Sequence, residues 1–258
     1  MTKRKPKNQR KNTKSNNPDA PIRLYGTHAV CAAVQNPQRQ VIKLWATANG
    51  AKTISELKTD ANLMPEQLSP QELARLLPPD AVHQGLVADV SPLPDTSLET
   101  IMARARPIIV LDQIVDPRNV GAILRAAAVF DAAGIIVTRH HSPRAEGALA
   151  KTASGALEIV PLVAVANLAR TLTMLADAGY QVLGLDEHGA RTIDQIDTNQ
   201  PLACVMGAEG KGLRRLTRET CTELVRLPTG DTGASPQNEF ATLNVATAAA
   251  VTLYALTR

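Results

Sequence analysis

The chain has 258 residues, 44% apolar and 20% charged, enough to bury the core of one large or two small domains. Seven of its 28 basic residues fall in the first 14 positions with no acid beside them. The net charge of +4 therefore belongs to that tail, and the rest carries 21 bases against 24 acids. No apolar run approaches the roughly 20 residues of a membrane helix. The tail lacks both the apolar stretch of a secretory leader and the apolar face of a mitochondrial presequence. The three cysteines, Cys31, Cys204 and Cys221, form no CxxC pair, and the histidines lack metal spacing, so neither a disulfide framework nor a metal site is expected. These features predict a soluble, cytoplasmic protein.

In chain order, residues 1–20 read as a disordered basic tail that either strengthens RNA binding without sequence preference or serves as a solubilising extension. Residues 21–90 read as a small α/β unit, with helices near 28–35, 54–59 and 70–76 and strands at 41–46 and 85–90. Trp45 belongs to its core. Residues 91–106, with Pro92 and Pro94, form a linker that ends in one short helix. Residues 107–258 alternate short apolar runs at 107–112, 134–138, 181–185, 202–206 and 223–227 with helical patterns at 120–131, 165–178 and 243–256. That alternation predicts a mainly parallel sheet covered by helices. In such sheets ligands sit beyond the C-terminal ends of strands, so the loops that follow strands carry the chemistry.

Three such loops stand out. The first, after Asp112, contains Asp116, Pro117, Asn119, Gly121 and Arg125. Asn119 is placed at a helix cap or first turn. Gly121 permits close backbone approach, and Arg125 follows one turn later with a fork suited to phosphate. The second runs Met206-Gly207-Ala208-Glu209-Gly210-Lys211-Gly212. It is neither a Walker loop nor GxGxxG, and Glu209 would repel a pyrophosphate. Its ligand should carry no phosphate and could be cationic. The third follows Leu227 and Pro228 and reaches Thr242-Leu243-Asn244, where Thr242 and Asn244 suit a helix start. Alone, each permits a plain reading: a capped helix with a solvated arginine, a glycine-rich turn, a capped last helix.

Together, in order and spacing, the three loops resemble the motifs of the SpoU (TrmH-type) RNA 2′-O-ribose methyltransferases. These are its Asn-x-Gly-x-x-x-Arg, Gly-x-Glu-x-x-Gly and Pro…Ser-Leu-Asn elements. Tyr25-Gly26-Thr27-His28-Ala29-Val30 and Val82-His83-Gln84-Gly85 are similar to the two ends of the family's ribosomal-protein-like substrate-binding domain. The nearest subgroup methylates a guanosine ribose in large-subunit ribosomal RNA. The resemblance implies a trefoil-knotted α/β methyltransferase domain over 107–258 behind an RNA-binding domain at 21–90, with S-adenosylmethionine as cofactor, ribosomal RNA as partner and a homodimer as the working form. It also implies Arg125 as the central catalytic residue, with Asn119, Glu209, Thr242 and Asn244 around it and cofactor contacts at Gly207, Leu227 and Leu243. Thr242 stands where Ser is usual, and the polar stretch 229–241 is longer than the family's. A transfer-RNA or resistance-type methyltransferase, and a non-catalytic ribosome-associated factor, are the alternatives.

Overall fold

The computed structural model describes residues 20–57, 63–139, 147–228 and 243–257. The basic tail (apart from Ala20), Thr242 and the whole of the long polar loop 229–241 lie outside that set.

The first unit is a sheet in the order β1-β4-β2-β3. Its strands are β1 (Ile22–Tyr25), β2 (Val41–Ala46), the two-residue β3 (Glu66–Gln67) and β4 (Leu86–Val90). Both β1 and β2 run antiparallel to β4. Helices α1 (Thr27–Gln35), α2 (Ala48–Ser55) and α3 (Pro70–Arg75) connect them. The second helix is earlier than the expected 54–59. Thr47 starts it by accepting a bond from Gly50 N at 3.2 Å. Gly50 looks like a breaker in sequence, yet it is needed inside the helix: a Cβ there would lie 2.3 Å from Gly85 O. Trp45 is buried, as expected. The short α4 (Leu98–Met102) follows, capped by Ser97.

The second unit is a seven-stranded sheet in the order β7-β6-β5-β10-β8-β11-β9 among the described residues. It comprises β5 (Ile108–Asp112), β6 (Gly134–Thr138), β7 (Leu162–Val165), β8 (Gln181–Leu185), the two-residue β9 (Arg191–Thr192), β10 (Leu202–Gly207) and β11 (Glu223–Arg226). Every pairing is parallel, so the predicted parallel α/β class holds. Both faces are covered, and side chains alternate between two cores as a period of two requires. Ile109 and Leu111 of β5, with Cys204 and Met206 of β10, enter one core together with α5 (Pro117–Val129), α6 (Gly147–Ala153) and α9 (Val245–Leu256). Ile108, Val110, Ala203 and Val205 enter the other with α7 (Leu168–Asp177). A last short helix, α8 (Arg215–Thr220), precedes β11.

Two local boundaries differ from expectation. The helix expected at 120–131 starts three residues earlier: Pro117 is the first residue of α5, where its missing N–H costs nothing, and Asp116 caps the helix by accepting from Arg118 N at 2.9 Å. The pattern at 165–178 splits into the end of β7 and α7, because Asn167 caps a new helix through Arg170 N at 3.1 Å.

Candidate functional site

The strand order reverses direction between β5 and β10. From β5 the chain builds outward through β6 and β7, then returns to place β8, β11 and β9 on the other side. Loops diverge at such a switch point and leave a crevice at the strand ends. Asp112 and Gly207 are paired at that edge, the last residues of β5 and β10. The first two motif loops start from these two residues.

The Asp112 carboxylate is wholly buried. It accepts from Arg214 N at 3.0 Å and from Arg214 Nε at 2.6 Å. Arg214 ends the second motif loop, so Asp112 ties both ends of the loop to one place. Between them the backbone doubles back. Gly212 N donates to Ala208 O at 2.8 Å, and a Cβ on Gly207 would lie 2.2 Å from Gly212 C. Gly210 and Gly212 have positive φ, 75° and 63°, conformations that side chains resist.

This fold of the loop presents Glu209 to the other two motifs. Its Oε1 accepts from Asn119 Nδ2 at 3.2 Å, Asn244 Nδ2 at 2.5 Å and Val245 N at 3.3 Å. Asn244 Nδ2 also donates to Asn119 Oδ1 at 3.1 Å. Asn119 lies in the first turn of α5. Asn244 caps α9, accepting from Ala246 N at 3.0 Å. One carboxylate oxygen thus joins three segments separated by 90 and 35 residues. Asp116, at the start of the same helix, is held below the usual carboxylate range by the side-chain and backbone bonds of Arg118.

The other expected residues divide. Leu227 is half-buried against the main core, and Leu243 is 53% exposed beside Asn244. Thr242 is outside the described residues. Arg125 is exposed on α5, and its side chain makes no hydrogen bond or ion pair with any described residue. It stands six residues beyond Asn119, about 9 Å along the axis, so the Asn119–Glu209–Asn244 cluster does not include it. Gly121 serves packing rather than a ligand: a Cβ there would lie 2.7 Å from Thr152 Cβ and 2.9 Å from Leu149 O of α6.

Sequence reasoning passed over Asp112, which looked like a strand boundary, and Arg214. It also missed the loop after β8. There Asp186 pairs with Arg218, and Arg226 Nη1 donates to Gly189 O at 2.6 Å and Ala190 O at 2.8 Å. An acid ending an apolar buried strand was the available signal for Asp112. In the first unit the two expected ends do meet: Thr27 N donates to Gln84 Oε1 at 3.2 Å. Among the described residues, no group of three or more His, Cys, Asp or Glu is placed to hold a metal ion, and no helix is long and apolar enough to cross a membrane.

A parallel sheet covered by helices on both faces, with Glu209 joining Asn119 and Asn244 at its switch point, defines an α/β protein that binds its ligand at the strand ends. Residues 106–254 match the family model of the SpoU rRNA methylases, and residues 23–96 match that of the RNA 2′-O ribose methyltransferase substrate-binding domain. The chain belongs to the SpoU rRNA methylase family. It is 39% identical over 246 residues to the 23S rRNA (guanosine-2′-O-)-methyltransferase RlmB of Pseudomonas putida, covering 92% of this chain and 96% of the relative. The Vibrio cholerae protein of the same name is 37% identical, covering 91% and 96%. Among solved structures, the SpoU methyltransferase AviRb of Streptomyces viridochromogenes in complex with AdoMet superposes with a TM-score of 0.76 at 25% identity, covering 92% of this chain and 89% of that one.

Proposed function

We propose that this chain transfers a methyl group from S-adenosylmethionine to the ribose 2′-oxygen of a guanosine in 23S ribosomal RNA. The observation that carries the reading is the junction of Asn119, Glu209 and Asn244 at the sheet's switch point. It draws the three family motifs into one edge, beside the helix that presents Arg125. The relatives named for this reaction match along nearly their whole length.

The donor set suits the cofactor. The glycine-rich loop offers backbone rather than side chains, and the carboxylate within it disfavours a phosphate-bearing ligand. The reading assigns the cofactor contacts to Gly207, Leu227 and Leu243. S-adenosylmethionine supplies an electrophilic methyl on a sulfonium. What remains for the protein is to hold a poor nucleophile in line and favour its alkoxide. A guanidinium keeps its proton in proteins, so Arg125 stabilises developing oxyanion charge beside the RNA phosphate rather than acting as base. Asn119 and Glu209 hold the loops, and Thr242 with Asn244 completes the pocket.

Residues 21–90 bind the RNA, residues 91–106 link, and 107–258 catalyse. A trefoil-knotted connection within 107–258 belongs to the same reading. The working form is a homodimer in the cytoplasm. Val129, Val251 and Tyr254 place apolar surface on α5 and α9, with Phe130 and Tyr254 in edge contact at 6.1 Å. The free cysteines fit a reducing compartment.

Mapping 2′-O-methyl groups in ribosomal and transfer RNA from cells with and without the gene identifies the acceptor. A lost methyl in transfer RNA alone transfers the reading to that substrate. On a verified substrate, Arg125→Ala should abolish transfer while S-adenosylmethionine still binds. Near-normal transfer removes Arg125 from the mechanism.

A further inference from the structure

The seam between the two units is built like a core. One apolar cluster runs from Leu24, Val30 and Val34 of the first unit into Ala150, Ala153 and Leu157 of the second. A Cβ on Gly147 would lie 2.6 Å from the Tyr25 ring, and one on Gly155 would lie 2.9 Å from Ala32 Cβ. Within the seam sits an ion pair almost without solvent: the Arg39 and Glu158 side chains are 1% and 4% exposed. The pairing is bidentate, with Arg39 Nη2 donating to Oε1 at 2.6 Å and Nε to Oε2 at 3.0 Å. Arg39 Nη1 donates to Ser91 O at 2.7 Å, where the first unit gives way to the linker. Asn36 Nδ2 adds a bond to Glu158 Oε2 at 2.9 Å. At the rim, Lys151 Nζ donates to Val82 O at 2.8 Å.

Such a pair adds little stability over apolar groups of the same shape. Its fork and carboxylate, however, are satisfied in one geometry only. The orientation passes on through packed contacts: α6 meets Tyr25 at Gly147, and it meets α5 at Gly121. One turn after Gly121, α5 carries Arg125.

We propose that Arg39 and Glu158 are specificity-determining positioning residues. They hold the RNA-binding unit at one fixed offset from Arg125, so the ribose methylated is chosen by its distance from the RNA element that unit grips. This rests on the rRNA-methylation reading above.

Glu158→Gln keeps the shape and removes the charge facing the fork. Arg39→Lys keeps the charge and an aliphatic stem but cannot make the two-bond fork. Each full-length variant is compared with wild type on transcribed 23S rRNA. The measurements are kcat, KM, the distribution of 2′-O-methyl groups by primer extension, and S-adenosylmethionine affinity by calorimetry. The expected result is unchanged cofactor affinity, a kcat at the native site lower by about 10- to 100-fold, and methyl groups on neighbouring nucleotides. A higher KM with unchanged kcat and a single product makes the seam a determinant of RNA affinity and overturns the ruler. Wild-type site and rate in folded variants overturn it as well. If Glu158→Gln does not fold, Arg39→Lys decides by the same outcomes. A wild-type enzyme that leaves rRNA unmethylated overturns the functional reading and the ruler with it; a wild type that methylates beside unaltered variants overturns the ruler alone.

Discussion

Replacing Asp112 by alanine should loosen the glycine-rich loop from the sheet. The wild-type carboxylate has no solvent contact and accepts two bonds, from Arg214 N and Nε. Bonds to a charged partner contribute about 1.5–3 kcal/mol each. The Arg214 side chain is 44% exposed, so its guanidinium can turn to water and recover most of its share. The main-chain N–H is less free to do so. The net cost is then about 2–3 kcal/mol. For a chain of this size each kcal/mol lowers Tm by roughly 2–4 °C, giving a fall of about 5–10 °C. Asp112→Asn keeps the shape and one acceptor, and should lose about half as much. Thermal melting and calorimetric titration with S-adenosylmethionine check both variants, and weaker cofactor binding should accompany the lower Tm. A Tm within about 1 °C of wild type with unchanged cofactor affinity would show that the loop does not depend on Asp112, and the argument would fail.

Glu209→Ala should separate stability from turnover. The side chain is exposed, so water replaces its bonds and stability changes by less than about 1 kcal/mol. Losing the common acceptor for Asn119, Asn244 and Val245 should nevertheless lower kcat by about 10- to 100-fold, measured by single-turnover methyl transfer. Gly121→Ala ordinarily favours a helix by about 1 kcal/mol, but here the new Cβ meets α6 backbone at 2.9 Å. Overpacking should win by about 1–2 kcal/mol of destabilisation in denaturant titration. Burial pushes the Cys204 and Cys221 thiols from 9.0 up to about 12, with small additions from Cys221 and Asp112 respectively. Above pH 9 the unfolded chain releases thiol protons that the folded chain keeps. Stability should therefore fall as pH rises from 9 towards 12, and both thiols should resist alkylation at pH 8 unless the protein is unfolded.

What the sequence makes legible is what local chemistry decides. Five apolar runs bounded by turn residues mark the central strands, and Asn244 before an apolar run marks the last helix, because strand burial and capping leave their residue types in place. Elements that depend on distant contacts leave weaker traces. Helix α6 is short and made largely of small residues; it is formed against α5 and Tyr25, neither adjacent in sequence. Gly50 looks like a break until Gly85 O is seen against it. The site divides in the same way. Each motif is visible as a local oddity, but the 90 and 125 residues that separate Asn119 from Glu209 and Asn244 carry no distance information. Only the motifs' family order suggested that they meet.

Glu209 shows how the two levels correct each other. In sequence, its charge alone reads as a barrier to phosphate, and the family resemblance places it beside Arg125. In the structure, one oxygen holds two asparagine amides and the first N–H of α9, so the residue is also the clasp of the site. These roles do not compete. Oε1 carries every bond that Glu209 makes to a described residue, and amide donors disperse the negative charge without removing it. An anionic ligand in the loop would still meet that charge, whereas a cationic sulfonium would not be repelled. Glutamine in its place could keep the acceptor but not the charge. Comparing Glu209→Gln with Glu209→Ala therefore distinguishes the clasp from the filter: the first should retain much of the turnover while weakening discrimination against phosphate-bearing adenine nucleotides in competition binding, and the second should lose both.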